Sequence, residues 1–416
     1  MSSNSLLTSD IIVKESLMEL KNQLVLSKSV NRQYDSQFAK TGAKAGKQIN
    51  IRLPNRYEVT TGPALNIQGT QDQSISLSLD HHKHVGMGFS NEDLTLSVDM
   101  FKERYIKPAV TALANSVDFT GYNEMYKKVY SSVGVPSASA LPSTLKGFTQ
   151  AKAKMSSLGA PIDDLTAVVD PMAEASLVDG LKSLFQSSEQ IKQQYEKGTM
   201  GFAAGSRFKM SQNVSKHTIG ALGGSGVTNY PSAFVEGASV LATDTWSNNV
   251  TGLLKAGDVI SIADVYAVNP QTKQSTGELA QFVVQADVNS GASTGPASIT
   301  LDRPIYASGA YKNVDALPQD GKAITVFGHA SSYAGVIAPQ NMVFHKDAFV
   351  LACADFELPG GMDMASRASD PESGLSLSFV RGFDIVNHRF ISRLDILFGW
   401  QCVRPEFACR VVGQPA

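Results

Sequence analysis

Three histidines in the stretch "HHKH" (His81, His82, His84) are the residues of this 416-residue chain best suited to metal chemistry. On a strand, His82 and His84 share a face, a spacing that could hold zinc or nickel. However, no paired cysteine or clear third ligand stands near them, and Lys83 would repel a cation. The expectation is a solvated or interface strand without metal. "GAKAGKQ" evokes a phosphate-binding loop, but Gly42 and Gly46 bracket three residues where the motif needs four, and Gln48 replaces the magnesium-holding hydroxyl. "GGSG" (Gly223–Gly226) fails the nucleophile-elbow pattern at Val227 and reads as a linker. "GTMGFAAGS" has no strand feeding it, as a dinucleotide fingerprint requires, and reads as a structural loop.

The acids Asp163, Asp164, Asp170 and Glu174 cluster in sequence, but acid–base work needs convergent geometry that spacing alone does not supply. Asp170, before Pro171, more simply ends a strand and caps a helix. Cys353, Cys402 and Cys409 have no metal-ligand spacing and read as buried thiols. Lys28, Arg32, Lys40, Lys44, Lys47, Arg52 and Arg56, opposed only by Asp35, form a basic run. It is either a solvated arm or a contact for acidic neighbours or a polyanion. With no aromatic platform interleaved, single-strand recognition is not expected. These residues predict neither an enzyme nor a cofactor.

The bulk composition agrees. At 43% hydrophobic and 18% charged the chain is globular, and a formal net charge of −2 argues against nucleic-acid binding as its main task. No run approaches the ~18 apolar residues of a membrane helix. "MSSNSLLTSDIIVKES" has no basic start followed by an apolar core, so a cytoplasmic site of synthesis and folding is expected.

The elements follow from periodicity. Ile12, Leu17, Leu20 and Leu24 recur at roughly helical spacing in an N-terminal arm. Ile49, Ile51 and Leu53, then Ile75, Leu77 and Leu79, alternate with polar residues around the tip "TTGPALNIQGTQDQ", which predicts an extended hairpin. Phe101, Tyr105, Val110, Leu113 and Val117 mark a long helix that Pro108 kinks or opens. "LTAVVDP" predicts a buried strand before a helix over 172–185. From about 222 to 329 helical patterning nearly vanishes. The strands "SVLAT", "DVISIADVYAV", "AQFVVQADV", "ASITL" and "AITVFG" predict a small β-barrel or sandwich inserted into the main body. Its expected core is Val259, Ile260, Ile262, Val265, Phe282, Val284, Ile299, Leu301, Ile324 and Val326. Near the C-terminus, Phe390, Leu394, Ile396, Phe398, Trp400 and Cys402 alternate with Arg389, Arg393, Asp395 and Gln401. That predicts one strand from about Arg389 to Val403, far longer than the usual ~5–6 residues.

In this order the parts resemble the major capsid (coat) proteins of tailed bacteriophages, the Hong Kong phage fold. "RYIKPAVTALANSVD", "LTAVVDPMAEASL", "YEKGTMGFAAGSRFKMSQNV", "NMVFHKDAFVLACADFELP" and "GFDIVNHRFISRLDILFGWQCVRPEFACRVV" carry the likeness. An insertion after "SKHTIG" containing "GLLKAGDVISI" is similar to coat proteins of short-tailed phages of enteric bacteria. The resemblance implies an α+β fold with an N-terminal arm (1–44), an extended hairpin (45–95), and a spine helix with peripheral domain (96–147). It further implies an axial domain in two parts (148–221 and 330–380), an inserted β-barrel-like domain (222–329) and closing strands of the peripheral domain (381–416). It implies a non-catalytic shell subunit of the virion, assembled in the host cytoplasm into pentamers and hexamers around double-stranded DNA. A scaffolding protein and a portal are the implied partners. Glu15 and Glu19 are the expected scaffold contacts, and Leu65 and Ile67 the inter-subunit hairpin tip. The competing expectation is a phage tail or adhesin-type structural protein.

Overall fold

The computed structural model describes residues 14, 16–20, 24–33, 48–63, 67, 72–90, 107–137, 141–181, 200–327, 333–361, 364–369, 375–386 and 389–413. In chain order they form β1 (Gln48–Arg52), β2 (Ser74–Ser78), β3 (His81–Ser90), α1 (Lys107–Met125), β4 (Ser132–Val135) and α2 (Lys146–Ser157). Next come β5 (Leu165–Val169), α3 (Pro171–Leu181), β6 (Phe202–Ala203), β7 (Ser206–Met210) and β8 (Lys216–Thr218). The β-rich stretch holds β9 (Gly224–Thr228), β10 (Val240–Trp246), β11 (Val259–Val268), β12 (Ser275–Val283), β13 (Ala297–Thr300) and β14 (Ile324–Val326). The chain closes with β15 (Ile337–Pro339), β16 (Asn341–Phe344), β17 (Phe349–Ala354), β18 (Met364–Ser369), β19 (Ser376–Asp384), β20 (Arg389–Cys402) and β21 (Ala408–Gly413). They group into two compact units, one drawn from Met1–Arg52, Ser74–Gly121 and Phe349–Val403, the other from Leu53–Gln73, Tyr122–Ala348 and Arg404–Ala416.

In the first unit β20 is the organising strand. One edge pairs along Arg389–Phe398 with β3, antiparallel. The other edge serves two strands end to end: β19 along Arg389–Asp395, then β17 along Leu397–Cys402. Two partners in series are what require 14 residues. Leu394, Ile396, Phe398, Trp400 and Cys402 are buried as predicted, while Phe390 is half-buried and Asp395, expected on the polar side, is buried too. β1 and β2 pair with each other, Gln48 opposite Ser78 and Arg52 opposite Ser74, as the hairpin reading expects. In the arm, Leu17, Leu20 and Leu24 are buried, whereas Ile12 lies outside the described residues. Pro108 sits in the first turn of α1, where its missing N–H costs nothing, so it opens this helix. Phe101 and Tyr105 lie outside the described residues.

In the second unit a six-stranded sheet has the order β4-β21-β16-β5-β7-β6. β21 and β4 are parallel, as are β5 and β7, and the other pairs are antiparallel. β16 belongs to this sheet, whereas β17 and β19 bond to β20, and β18 bonds to β19. β21 lies in the six-stranded sheet, the turn Pro405–Phe407 having ended the β20 ladder and redirected the chain.

The β-rich stretch closes on itself. β13-β10-β9 and β12-β11-β14 are two three-stranded sheets, joined by bridges Val227↔Ala323 on one side and Val284↔Leu301 on the other. A barrel results, and all ten expected core residues are buried. The "GGSG" stretch, expected as a linker, contributes instead to strand β9. Gly226 faces the Trp246 ring so closely that a Cβ would fall 2.0 Å from it. Glycine there makes room for the tryptophan, whose Nε1–H donates to Thr243 Oγ1 at 2.9 Å.

Candidate functional site

The histidines fall on β3 beside β20. His82 Nε2 lies 2.7 Å from Asp395 Oδ1, and Arg393 Nε donates to the same oxygen at 2.7 Å. Asp395 is buried on the strand's polar side, where the Arg393 guanidinium matches its charge and the His82 ring lies within hydrogen-bond distance. Among the described residues no group of three or more His, Cys, Asp or Glu could hold a metal ion. Cys353, Cys402 and Cys409 are buried free thiols, and burial pushes the Cys409 thiol up to about 12. Asp170 caps α3 through its Oδ2, which accepts the Met172 N–H at 3.1 Å.

Glu174, on α3, is only 3% exposed. Its Oε1 accepts the Met200 N–H at 3.2 Å, while Oε2 has no partner among the described residues. Burial therefore raises its pKa. Between the ordinary carboxylate range and that raised value the folded state holds more protons than the unfolded one, so stability falls as pH rises through this window. Glu174→Gln keeps an acceptor for Met200 and removes the buried charge. It is expected to raise the melting temperature at pH 8 by roughly 2 °C, with the gain shrinking towards pH ~4. Calorimetry at both pH values checks this.

Of the expected contact residues, Glu19 is partly buried, with Oε1 3.9 Å from Lys107 Nζ. Glu15 lies outside the described residues. Ile67 is 84% exposed, and Leu65 lies outside the described residues. Tyr57 and Val59, just before that tip in the segment between β1 and β2, are 61% and 92% exposed. Of the basic run, Arg56 pairs with Glu406 at 3.3 Å and Arg32 donates to the Ser27 carbonyl. Lys40, Lys44 and Lys47 lie outside the described residues.

The sequence reading did not single out the buried charges Asp118, Asp258 and Arg410. Asp118, on α1, is 1% exposed and accepts the N–H groups of Val25, Leu26 and Ser27 at 2.7, 3.2 and 3.1 Å. The Ser27 hydroxyl donates to it as well. Through this one carboxylate α1 holds the arm's exit. Arg410, on β21, is also 1% exposed. Its Nε donates to Val129 O at 2.8 Å and its Nη1 to Gly257 O at 2.8 Å. A lone arginine in the otherwise apolar "ACRVVG" was the available signal.

The chain thus combines a long helix, a hairpin, a strand-rich unit organised by its penultimate strand and a barrel inserted between β8 and β15. The family described as P22 coat protein, gene protein 5, matches residues 1–413, and the chain belongs to that family. It is therefore a structural, non-catalytic coat protein of the Hong Kong phage fold that self-assembles into the icosahedral capsid of a tailed phage and resides in the virion. No curated protein matches the sequence. Solved structures similar to it include one titled for Mycobacterium phage Che8, at 12% identity and a TM-score of 0.47 over 93% of this chain and 90% of that one. The capsid of Ralstonia phage GP4 aligns at 8% identity and a TM-score of 0.44, over 93% and 92%. The capsid of cyanophage P-SCSP1u aligns at 11% and 0.42, over 93% and 88%.

Proposed function

We propose that the subunit forms hexamers and pentamers that grow around a scaffolding protein and a portal in the host bacterial cytoplasm, and that the finished shell encloses double-stranded DNA. Within the subunit, the arm (1–44), hairpin (45–95), spine (96–147), axial parts (148–221, 330–380), insertion (222–329) and closing strands (381–416) are the working parts. The observation that carries this reading is the hairpin. β1 and β2 bond only to each other among the described strands, and the segment between them exposes Tyr57, Val59 and Ile67. A two-stranded hairpin is marginal alone in water, so an apolar segment of this kind favours a neighbouring subunit as its support. Capsomer contacts of this head-to-tail kind close into rings when the rotation permits.

Ile67→Asp, or Leu65→Asp, tests it. The exposed position of Ile67 predicts a normally folded subunit, while an unpaired charge buried at a contact costs several kcal/mol and blocks assembly. Shells at wild-type yield from these variants would place the tip in solvent. For the arm, Glu15 and Glu19 stand four apart, on one face of a helix, and suit a basic scaffold segment. Glu15→Lys with Glu19→Lys is expected to abolish scaffold binding measured at low salt. Unchanged affinity would remove that role.

A further inference from the structure

The inserted barrel is joined to the six-stranded sheet by β8 and β15. It also meets the elements around that sheet through Gln281, whose Oε1 accepts from the Ser132 N–H at 2.8 Å and from Lys154 Nζ at 2.6 Å, and through Asn269, which donates to Ser157 O at 2.7 Å. β8 leads in and β15 leads out, paired antiparallel with His217 opposite Ala338. Where the chain enters and leaves the barrel, a change of its direction would hinge at these two strands, and this joint is tied across by a buried polar cluster. His217, 6% exposed, places Nε2 2.7 Å from Asp258 Oδ1 at the start of β11. Asp258 Oδ2 accepts the N–H of Gly220 at 3.1 Å and of Lys255 at 2.7 Å. On the other side of the imidazole, the Tyr126 hydroxyl lies 3.2 Å from Nδ1.

Arg410 completes the set. Besides its bonds to Val129 and Gly257, its Nη1 lies 3.5 Å from Gln340 Oε1, just beyond β15, and its guanidinium carbon 5.7 Å from the Tyr126 ring centre. One cation thus gathers the segment after α1, the base of the barrel, the exit of the joint and the final strand. Burial lowers its pKa only to about 10, so it stays charged at neutral pH. Burial likewise raises Tyr126 to about 12, leaving the phenol neutral. A cavity of about 20 Å³ beside the cluster is lined by Ser132, His217, Asp258, Gln340 and Arg410, and has room for one water.

We propose that the Arg410–Tyr126–His217–Asp258 cluster is a latch that sets the direction in which the barrel projects, and that this fixed direction lets subunits close shells of uniform curvature. Rocking at this joint would separate Gly257 from Arg410 and Gly220 from Asp258. Each charge would then be buried without its partner, which is strongly unfavourable. Arg410 and Asp258 act here as positioning residues, and the inference is independent of the hairpin reading above.

The test uses full-length Arg410→Met, of similar length without charge, and Asp258→Asn, which keeps an acceptor without charge. Amide hydrogen exchange and electron microscopy of assembled particles are the readouts. At Gly220 and Lys255 exchange is expected to quicken by at least roughly tenfold, while Ile260, Phe282 and Ile299 in the barrel core keep their protection. Particles are expected to spread into open, spiral and odd-sized forms. Uniform shells of wild-type diameter from either folded variant would overturn the proposal. If neither variant accumulates folded, the cluster is a folding requirement of the whole chain rather than an orienting latch, and the proposal equally falls.

Discussion

Gly399→Ala, the addition of one methyl group, is expected to leave almost no soluble coat protein. Gly399 sits within β20, where a Cβ would fall 1.9 Å from the Ser78 carbonyl oxygen and 3.2 Å from the Leu79 Cα. Those are backbone atoms at the end of β2, so no side-chain rotation relieves the clash. Overpacking a core typically costs about 1–3 kcal/mol, and a clash with backbone exceeds that range. The strand must either leave its register or push the hairpin root away. Because β17, β19 and β3 all bond to β20, a shift there propagates through the sheet. Gly86→Ala, on β3 opposite Arg393, supplies the control, since nothing lies within 4 Å of its added Cβ. Soluble yield and melting temperature of the two variants decide it. Equal behaviour would mean that β2 and β20 do not meet as closely as this.

Asp118→Ala is expected to free the arm's exit from α1. The substitution leaves three backbone donors, on Val25, Leu26 and Ser27, without an acceptor in a buried place. Each unsatisfied donor costs about 1–3 kcal/mol, so a total of ~3 kcal/mol or more is expected. Since ~1.4 kcal/mol is a factor of ten, the open population of this segment should rise about a hundredfold. Lys28 is exposed while Leu26, Ser27 and Ser29 around it are buried. Trypsin cleavage after Lys28 therefore reports the opening. A rate like that of wild type would show the arm to be held by packing of Leu17, Leu20 and Leu24 alone.

These two variants also mark where the sequence was legible. The length and buried face of β20 could be read from its period of two, because alternation records which side chains meet the core. Its partners could not, since a strand's hydrogen-bonding edges carry no side-chain pattern, and so the division of its upper edge between β19 and β17 went unread. The barrel's core was legible residue by residue for the same reason. β9 was not, because its glycines exist to admit Trp246, a contact with a residue some distance along the chain. Asp118 and Arg410 were visible as charges in apolar settings, but the carbonyls and amides they serve are backbone groups from remote segments. Sequence types name side chains, whereas these sites are built half from main chain. The hairpin tip was legible only as a turn-rich stretch. The role proposed for it rests on a second copy of the chain, which one subunit does not contain.

Electron microscopy of particles formed by the full-length chain expressed in bacterial cells tests the central claim most directly. The account predicts closed icosahedral shells, or free rings of five and six subunits, in which the hairpin of each subunit lies on its neighbour. A purified chain that remains a discrete trimer or other small oligomer under conditions where scaffolding protein is supplied would contradict it.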